Sequence, residues 1–300
     1  MTQVLAFVVD MLVHATPLMI SGLAVAIAFR AGVWNIGADG QFIAGATAAA
    51  WVGVSASAEL GWLALPLALA AGAIAGGVWA AIAAWLRSRF GVLEVISTIM
   101  LNFIATYGAS YLVRGPLQEP THIYPQTNSI VNGAHIPILL TGTRLHWGFI
   151  IALVLAVAAW WVMKFSAVGF RIRSSGNNPF AARSAGLINV PWVTSAAFVF
   201  SGAIAGIAGA IEVSGVTFAL YENISPGYGY TAIAVALLAG LNPLGIIGTG
   251  ILFGGLETAA STMQRNAGIP ATTATVIEAI AILAVIAVTQ LRSRRAAITA

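Results

Sequence analysis

Three polar side chains lie close together between two long apolar runs, in the stretch Trp34-Asn-Ile-Gly-Ala-Asp-Gly-Gln41. They are Asn35, Asp39 and Gln41, and the glycines at 37 and 40 lie among them. Amide and carboxylate groups hydrogen-bond well to hydroxyl and amine groups, so this stretch is suited to binding a polar solute. The alternative interpretation is a polar turn that precedes an ordinary helix.

A second polar group, Glu94, Ser97 and Asn102, lies at the start and in the middle of a later apolar run. Irregular backbone and polar side chains at membrane depth persist only beside protein or a water-filled cavity. Two such groups in one chain favour the interpretation that both lie along a solute path.

Two further acids, Glu257 and Glu278, fall near the middle of apolar runs, and Asp10 and His14 share one face of a predicted helix. A carboxylate at the centre of a bilayer costs at least about 2.5 kcal/mol, so each acid needs a partner or a wet cavity. An ion or proton relay is one interpretation. Helix-to-helix hydrogen bonds are the other, and they are favoured because no continuous chain of acids is visible.

Other kinds of chemistry have little support in the sequence. The single lysine, Lys164, follows an apolar run and cannot belong to a Gly-rich phosphate loop, so ATP would have to be hydrolysed by another chain. His122, His135 and His146 match no common metal spacing and are interpreted as solvated loop residues. No catalytic residue, metal site or cofactor is expected, and a transport role is favoured over an enzyme.

The elements that position these residues are membrane-spanning helices. Of 300 residues 59% are hydrophobic and only 7% charged, with a mean hydropathy of +0.93, far from a soluble domain. Windows of about 19 residues predict nine spans in one all-α domain covering residues 1–300. They are Val4–Phe29, Ile36–Ala56, Gly61–Leu86, Glu94–Val113, His146–Met163, Pro191–Val213, Tyr228–Leu241, Leu244–Gln264 and Ala271–Gln290.

The basic residues orient this bundle, because Lys and Arg of short loops stay in the cytoplasm. With the amino terminus outside and the carboxyl terminus inside, ten of the thirteen basic residues are cytoplasmic. The net charge of +4 then follows from topology and gives no ground for a nucleic-acid partner. The first run carries Asp10 and lacks a basic leader, so it is predicted to be a retained span. Small-residue pairs at 72 and 76, 202 and 206, and 250 and 254 are predicted to let helices approach closely.

Two connections are long. The outer one, residues 114–145, is interpreted either as a lid or docking surface or as a tolerated solvated loop. The inner one, residues 164–190, contains Asn178-Pro-Phe-Ala-Ala-Arg-Ser-Ala-Gly186. Asn178 suits a helix N-cap, Pro179 the first helical position and Gly186 the left-handed residue after the last turn. A helix of about two turns is predicted, which either docks on a cytoplasmic partner through Phe180 and Arg183 or rests on lipid headgroups.

Four segments resemble the permease subunits of ABC importers, in the nucleoside and simple-sugar branch related to branched-chain amino acid and ribose-type permeases. They are Gly22 to Gln41, Glu94-Val-Ile-Ser-Thr-Ile-Met-Leu-Asn102, Gly176 to Gly186, and Gly227 to Gly245. The resemblance covers nearly the whole chain. Relatives usually carry a further amino-terminal span, and this chain begins at what would be their second span.

The resemblance implies a pore-forming subunit in a prokaryotic plasma membrane. It implies pairing with a second permease, a separate cytoplasmic ATPase and an extracytoplasmic solute-binding protein. The helix from Pro179 to Ala185, with Asn178 and Gly186 at its two ends, would be the coupling helix that is seated in the ATPase, and the two polar groups would lie near the translocation route. The alternative hypothesis is an ion-coupled carrier that uses Glu257 and Glu278.

Overall fold

The computed structural model describes residues 3–184, 186 and 188–267, and the isolated positions 272, 276, 279 and 280. This part of the chain is all-helical and contains no strand. Its helices are α1 Gln3–Arg30, α2 Ala38–Ser55, α3 Ala64–Phe90, α4 Glu94–Arg114, α5 Gly148–Phe165, α6 Ala167–Asn177, α7 Pro179–Ser184, α8 Val190–Glu212, α9 Tyr228–Leu238 and α10 Pro243–Ala267. Short 3₁₀ turns lie at Ala58–Leu63 and Asn132–Ala134, and a π-helical turn, Val213–Thr217, extends α8.

Six segments of the described chain are long and apolar enough to cross a membrane, which confirms the predicted helical membrane architecture. They contain α1, α3, α4, α5, α8 and α10. Helix α2 has 18 residues, but the polar residues of its first turn lower its mean hydropathy. Helix α9 has 11 residues, or about 16 Å, too short to span. The predicted ninth span lies almost wholly outside the described residues, so the number nine and the orientation of the termini stay predictions.

Glycine pairs hold the centre of the bundle together. A Cβ added at Gly76 would collide with the Gly202 carbonyl oxygen, and one at Gly206 with the Gly72 carbonyl oxygen, so α3 and α8 touch backbone to backbone. Gly254 of α10 approaches α1 in the same way, at the Met11 carbonyl. The prediction that these small residues permit close helix approach is therefore confirmed. Helix α1 is enclosed by the others and is buried from Ala15 to Ala28.

The outer connection is folded onto the bundle. Its backbone amides at Thr127 and Ile130 donate to the carbonyls of Leu220 and Phe218, at 2.8 and 2.9 Å. The interpretation of all three histidines as solvated is wrong for His146, which is only 2% exposed and packs against glycines of α5 and the π-helical turn. Burial, and then the nearby Arg144, lower the pKa of His146 to about 4, so its ring is neutral at pH 7.

Candidate functional site

The segment between α1 and α2 folds back onto the middle of α8. Gly32 has a φ of +79°, a left-handed conformation that glycine adopts without strain, and residues 33–36 then run without helical structure to α2. Their depth is marked by Ser201 in the middle of α8, whose hydroxyl donates to the Ala24 carbonyl at 2.6 Å. Ala24 lies six residues before Arg30, the end of α1, which corresponds to about 9 Å along a helix. The polar stretch is therefore an irregular segment at membrane depth.

Asn35 organises this segment. Its side-chain amide donates to the Gln41 carbonyl oxygen at 2.9 Å and to the Ser201 hydroxyl at 2.8 Å. Its own carbonyl oxygen accepts from the Gln41 amide and from the backbone N–H of Gly37, both at 3.0 Å. Both amide side chains are at most 1% exposed. The hydrogen bonds replace those that water would make, as burial of amide groups requires.

Asn102 ties α4 to the same segment. Its carbonyl oxygen accepts from the Gly40 N–H at 2.8 Å, and its amide donates to the Ile36 carbonyl and the Tyr230 hydroxyl, both at 3.0 Å. Asn102 is 2% exposed, whereas Tyr230 at the start of α9 is 43% exposed. Asn102 thus stands between buried backbone and an accessible ring.

Asp39 binds the start of α9. One of its carboxylate oxygens accepts from the Ser225 hydroxyl at 2.6 Å and from the Gly229 N–H at 3.0 Å. The Ser225 oxygen in turn accepts from the backbone N–H of Gly227 and Tyr228, so it caps α9. A carboxylate beside a helix amino terminus also interacts favourably with the helix dipole.

Four of the six predicted path residues therefore meet in one cluster, here called the polar hub. The hub consists of Asn35, Asp39, Gln41, Asn102, Ser201, Ser225 and Tyr230. The other two predicted residues lie apart from it. Glu94 pairs with Arg87 at 3.4 Å between the ends of α3 and α4, and Ser97 donates to the carbonyl of Glu94 in its own helix.

Sequence reasoning missed Ser201, Ser225 and Tyr230 of the hub. Ser201 is a single hydroxyl within an apolar helix and carries no signal that sets it apart. The segment Ser225-Pro-Gly-Tyr-Gly-Tyr230 carries one, because hydroxyls among glycines just before a helix are typical of a cap. Glu212 was also missed, although it is a lone acid in an apolar run and only 5% exposed. The same rule that singled out Glu257 would have found it.

The inner connection contains two helices where one was predicted. Helix α7 has the predicted caps: the Asn178 side chain accepts from the Ala181 N–H at 3.0 Å, Pro179 is its first residue, and Gly186 has a φ of +71°. The predicted helix ended at residue 185, which lies outside the described residues. Helix α6 was not predicted, although the Ser166 hydroxyl caps it by accepting from the Gly169 N–H at 3.1 Å.

Helix α7 presents a large apolar side chain to the outside. Phe180 is 80% exposed and Arg183 is exposed beside it, whereas Ala182 is buried against the rest of the chain. An exposed aromatic side chain on a capped helix is suited to insertion into a groove on another protein.

The acids of the alternative hypothesis are not seen together. Glu257 is half-buried in α10, and Glu278 lies outside the described residues. His14, on the predicted polar face of α1, approaches the Thr258 hydroxyl of α10 at 3.3 Å. This contact is a hydrogen bond between two helices, as the structural interpretation of these residues predicted.

The membrane-length helices, the buried polar hub and the exposed α7 together define a polytopic membrane transport protein. Residues 7–287 match the family described as the permease component of the branched-chain amino acid transport system. The chain belongs to this family.

Curated relatives have ABC permease names. The guanosine ABC transporter permease protein NupP of Bacillus subtilis is 39% identical over 89% of this chain and 77% of its own length. The glucose ABC transporter permease protein TsgB13 of Haloferax volcanii is 36% identical, over 91% and 74%. The nucleoside ABC transporter permease protein NupB of Lactococcus lactis is 32% identical, over 85% and 72%. The chain is a permease subunit of an ABC transporter, which makes it a transport component rather than an enzyme.

Proposed function

We propose that this chain forms one side of the translocation path of a prokaryotic plasma-membrane importer for a nucleoside or simple sugar. It moves solute by alternating access, with its amino terminus outside and its carboxyl terminus in the cytoplasm. The names of relatives at 39% and 36% identity, guanosine and glucose permeases, support these two solute classes.

The observation that carries this proposal is the exposed α7. The chain has no Gly-rich phosphate loop, so the energy of ATP has to reach it through a surface. Phe180 and Arg183 supply an apolar anchor and a charge for a cytoplasmic ATPase. Arg171 and Arg173 of α6 and Arg183 of α7 also suit contact with anionic lipid headgroups.

The docking test is a pull-down experiment in which the double variant Phe180→Asp, Arg183→Glu is used to capture the cognate ABC ATPase. We expect normal membrane insertion and loss of the ATPase. The matched control is Phe90→Asp, Arg89→Glu at the cytoplasmic end of α3, where both side chains are also exposed. Wild-type capture of the ATPase by the α7 variant would refute docking through this helix.

The partners complete the proposed assembly. Curated relatives include a second B. subtilis guanosine permease, NupQ, which is 29% identical to this chain. Two permeases with related names in one organism support a heterodimer of permeases here. An extracytoplasmic binding protein would deliver the solute to the outer face, where residues 114–145 are folded onto the bundle.

The solute path is proposed to follow the exposed face of α4. Phe103, Tyr107 and Tyr111 recur every four residues and are 51%, 72% and 71% exposed, so they form one aromatic stripe. Aromatic faces stack on nucleobases and on the apolar faces of sugars. The predicted path residues of the hub would lie beside this route, with Tyr230 as their accessible member.

Uptake by proteoliposomes of the reconstituted complex distinguishes the two solute classes. Labelled guanosine and labelled glucose are each offered with the binding protein and internal ATP. We expect Tyr107→Ala with Tyr111→Ala to lower uptake at least tenfold, while Trp62→Ala, an exposed aromatic outside α4, leaves uptake unchanged. Uptake of both solutes at wild-type rates by the tyrosine variant would exclude the stripe from the path.

A further inference from the structure

We propose that the Gly32–Gly176 contact and the polar hub form the mechanical connection between the coupling helix and α9. In this proposal Gly32 and Gly176 are positioning residues, and α9 is the element that moves. The inference rests on the proposed function, in which an ATPase docks on α7.

The first step of the connection is a contact between two backbones. Gly176 is the second-last residue of α6 and lies two residues before Asn178, which caps α7. A Cβ added at Gly176 would collide with the Arg30 carbonyl oxygen and lie 3.0 Å from the Gly32 nitrogen. Flexible side chains are absent from this contact. A displacement of α6 and α7 therefore passes directly to the turn after α1.

The second step leads from this turn into the hub. The Val33 N–H donates to the Ala28 carbonyl at 3.1 Å, Val33 is 1% exposed, and the Trp34 ring packs on Phe29 at a centroid distance of 4.9 Å. Only two residues separate Gly32 from Asn35, whose side chain is fixed by Gln41 and Ser201. This short, packed segment has little freedom to absorb a displacement.

The third step engages α9 at both ends. At its start, Asp39 accepts from Gly229 and Ser225, and Asn102 donates to Tyr230. Beyond its end, the Arg30 guanidinium donates through Nε to the Leu241 carbonyl at 2.8 Å. Arg30 and Asp39 flank the same turn between α1 and α2. A helix of 11 residues held at both ends by one turn moves when that turn moves.

The exposed fractions of the hub side chains show which of them can carry the motion of α9 to the surface. The Asn35, Asp39, Gln41 and Asn102 side chains of the hub are at most 6% exposed, whereas Tyr230 is 43% exposed. Displacement of α9 therefore changes the position of an accessible ring that is hydrogen-bonded to Asn102 of α4. A two-state element biased from the ATPase side is what coupling between distant sites requires.

The test measures ATP hydrolysed per solute molecule taken up, in proteoliposomes that contain the full complex with both permeases, ATPase and binding protein. Gly176→Ala and Gly32→Ala are compared with Gly248→Ala, where an added Cβ meets nothing within 4 Å. We expect assembled Gly176→Ala complexes to hydrolyse ATP at the wild-type rate but to use at least threefold more ATP per solute. A purely structural role would reduce assembly without changing this ratio.

Two outcomes overturn different claims. Wild-type stoichiometry in assembled Gly176→Ala complexes would overturn the connection and leave the proposed function intact. Failure of the wild-type complex to take up guanosine or glucose with ATP would instead overturn the proposed function.

A second measurement does not depend on the folding of a glycine variant. The chain has no cysteine, so pairs of spin labels can be placed without background. Distances are measured from the exposed Trp85 position on α3 to Phe170 on α6 and to Leu244 at the start of α10, which follows α9 after four residues, with and without a non-hydrolysable ATP analogue. We expect both distances to change together. A change at Phe170 with none at Leu244 would overturn the connection.

Discussion

The polar hub and α7 use polar and apolar residues in opposite ways. In the hub, amide and carboxylate groups lie inside the membrane bundle and bind one another, with Asn35 and Gln41 at most 1% exposed. In α7, the aromatic ring of Phe180 is 80% exposed. Polar residues, which are usually exposed, are buried in the hub and hold this chain together. Phe180 is apolar and would usually be buried, and its exposure suits it to binding a partner.

Substitutions in the hub and substitutions on α7 should therefore affect different measured properties. A hub substitution removes buried hydrogen bonds and acts first on the stability of the subunit itself. A substitution on α7 leaves the subunit intact and acts on assembly.

The largest effect is expected for Asn102→Leu. The change removes the partners of the Gly40 N–H and the Ile36 carbonyl, both inside the bundle, and should destabilise the subunit by about 2–4 kcal/mol. Thermal unfolding of the detergent-purified subunit measures this loss. Asn132→Leu, at an exposed position of the outer connection, is the matched control. Equal melting temperatures for the two variants would show that the hub does not stabilise the fold.

The next effect separates charge from hydrogen bonding at Asp39. Asp39→Ala leaves the Ser225 hydroxyl and the Gly229 N–H without their acceptor, at a cost of about 1–3 kcal/mol. Asp39→Asn keeps one oxygen in place, so we expect it to cost less than about 1 kcal/mol. The same unfolding assay checks both variants. If Asn were as damaging as Ala, the negative charge at the start of α9 would be the stabilising feature.

The sequence predicts the local features of both regions and few of the long-range ones. The caps of α7 are confirmed because Asn178, Pro179 and Gly186 act on backbone within a few residues of themselves. The partners of the hub lie far away along the chain, since Asn35 meets Ser201 and Asp39 meets Gly229. Polarity in an apolar context reveals that a residue needs a partner, but only helix packing decides which one.

The differences between predicted and observed helix boundaries also depend on whether local or long-range contacts decide them. The predicted second span began at Ile36, whereas α2 begins at Ala38, because Asn35 folds its side chain onto the Gly37 N–H and delays the helix. Helix α6 was missed because its arginines and glycines lower its apolar signal, and its single-residue separation from α5 at Ser166 conceals the break. The burial of His146 was missed because it depends on glycines at 148 and 215 that make room for the ring.

An effect confined to assembly, with no loss of subunit stability, is expected for Phe180→Ala. The ring makes little contact with its own chain, so the melting temperature of the isolated subunit should not change. A buried aromatic anchor at an interface is worth at least about 2 kcal/mol, which predicts at least a roughly thirtyfold weaker Kd for the ATPase. Titration of labelled ATPase onto nanodisc-embedded subunit measures this Kd, and Phe90→Ala is the control. A lower melting temperature for Phe180→Ala without weaker ATPase binding would show that Phe180 stabilises the subunit and does not bind the ATPase.

The smallest effect is expected at an exposed ion pair, where polar residues are bonded as in the hub but remain in contact with water. Glu222 accepts from Arg114 at 2.6 and 3.1 Å and from the Ser110 hydroxyl at 2.6 Å. The hydrogen bonds from Arg114, and then from Ser110, hold the pKa of Glu222 below its ordinary value of 4.5. Because the folded state favours the ionised form, this stabilisation is present above pH 4.5 and is lost as the pH falls through the lowered pKa.

Glu222→Gln should therefore lower the melting temperature slightly at pH 7, and the difference from wild type should shrink as the pH is lowered to 3. Salt should reduce the same difference, because ions screen exposed pairs. Glu59→Gln is the control, since Glu59 is exposed and makes no ion pair within the described part of the chain. A large decrease in melting temperature for Glu222→Gln that does not depend on salt would contradict this expectation. It would show that the Arg114–Glu222 pair is shielded from water in the same way as the hydrogen bonds of the hub.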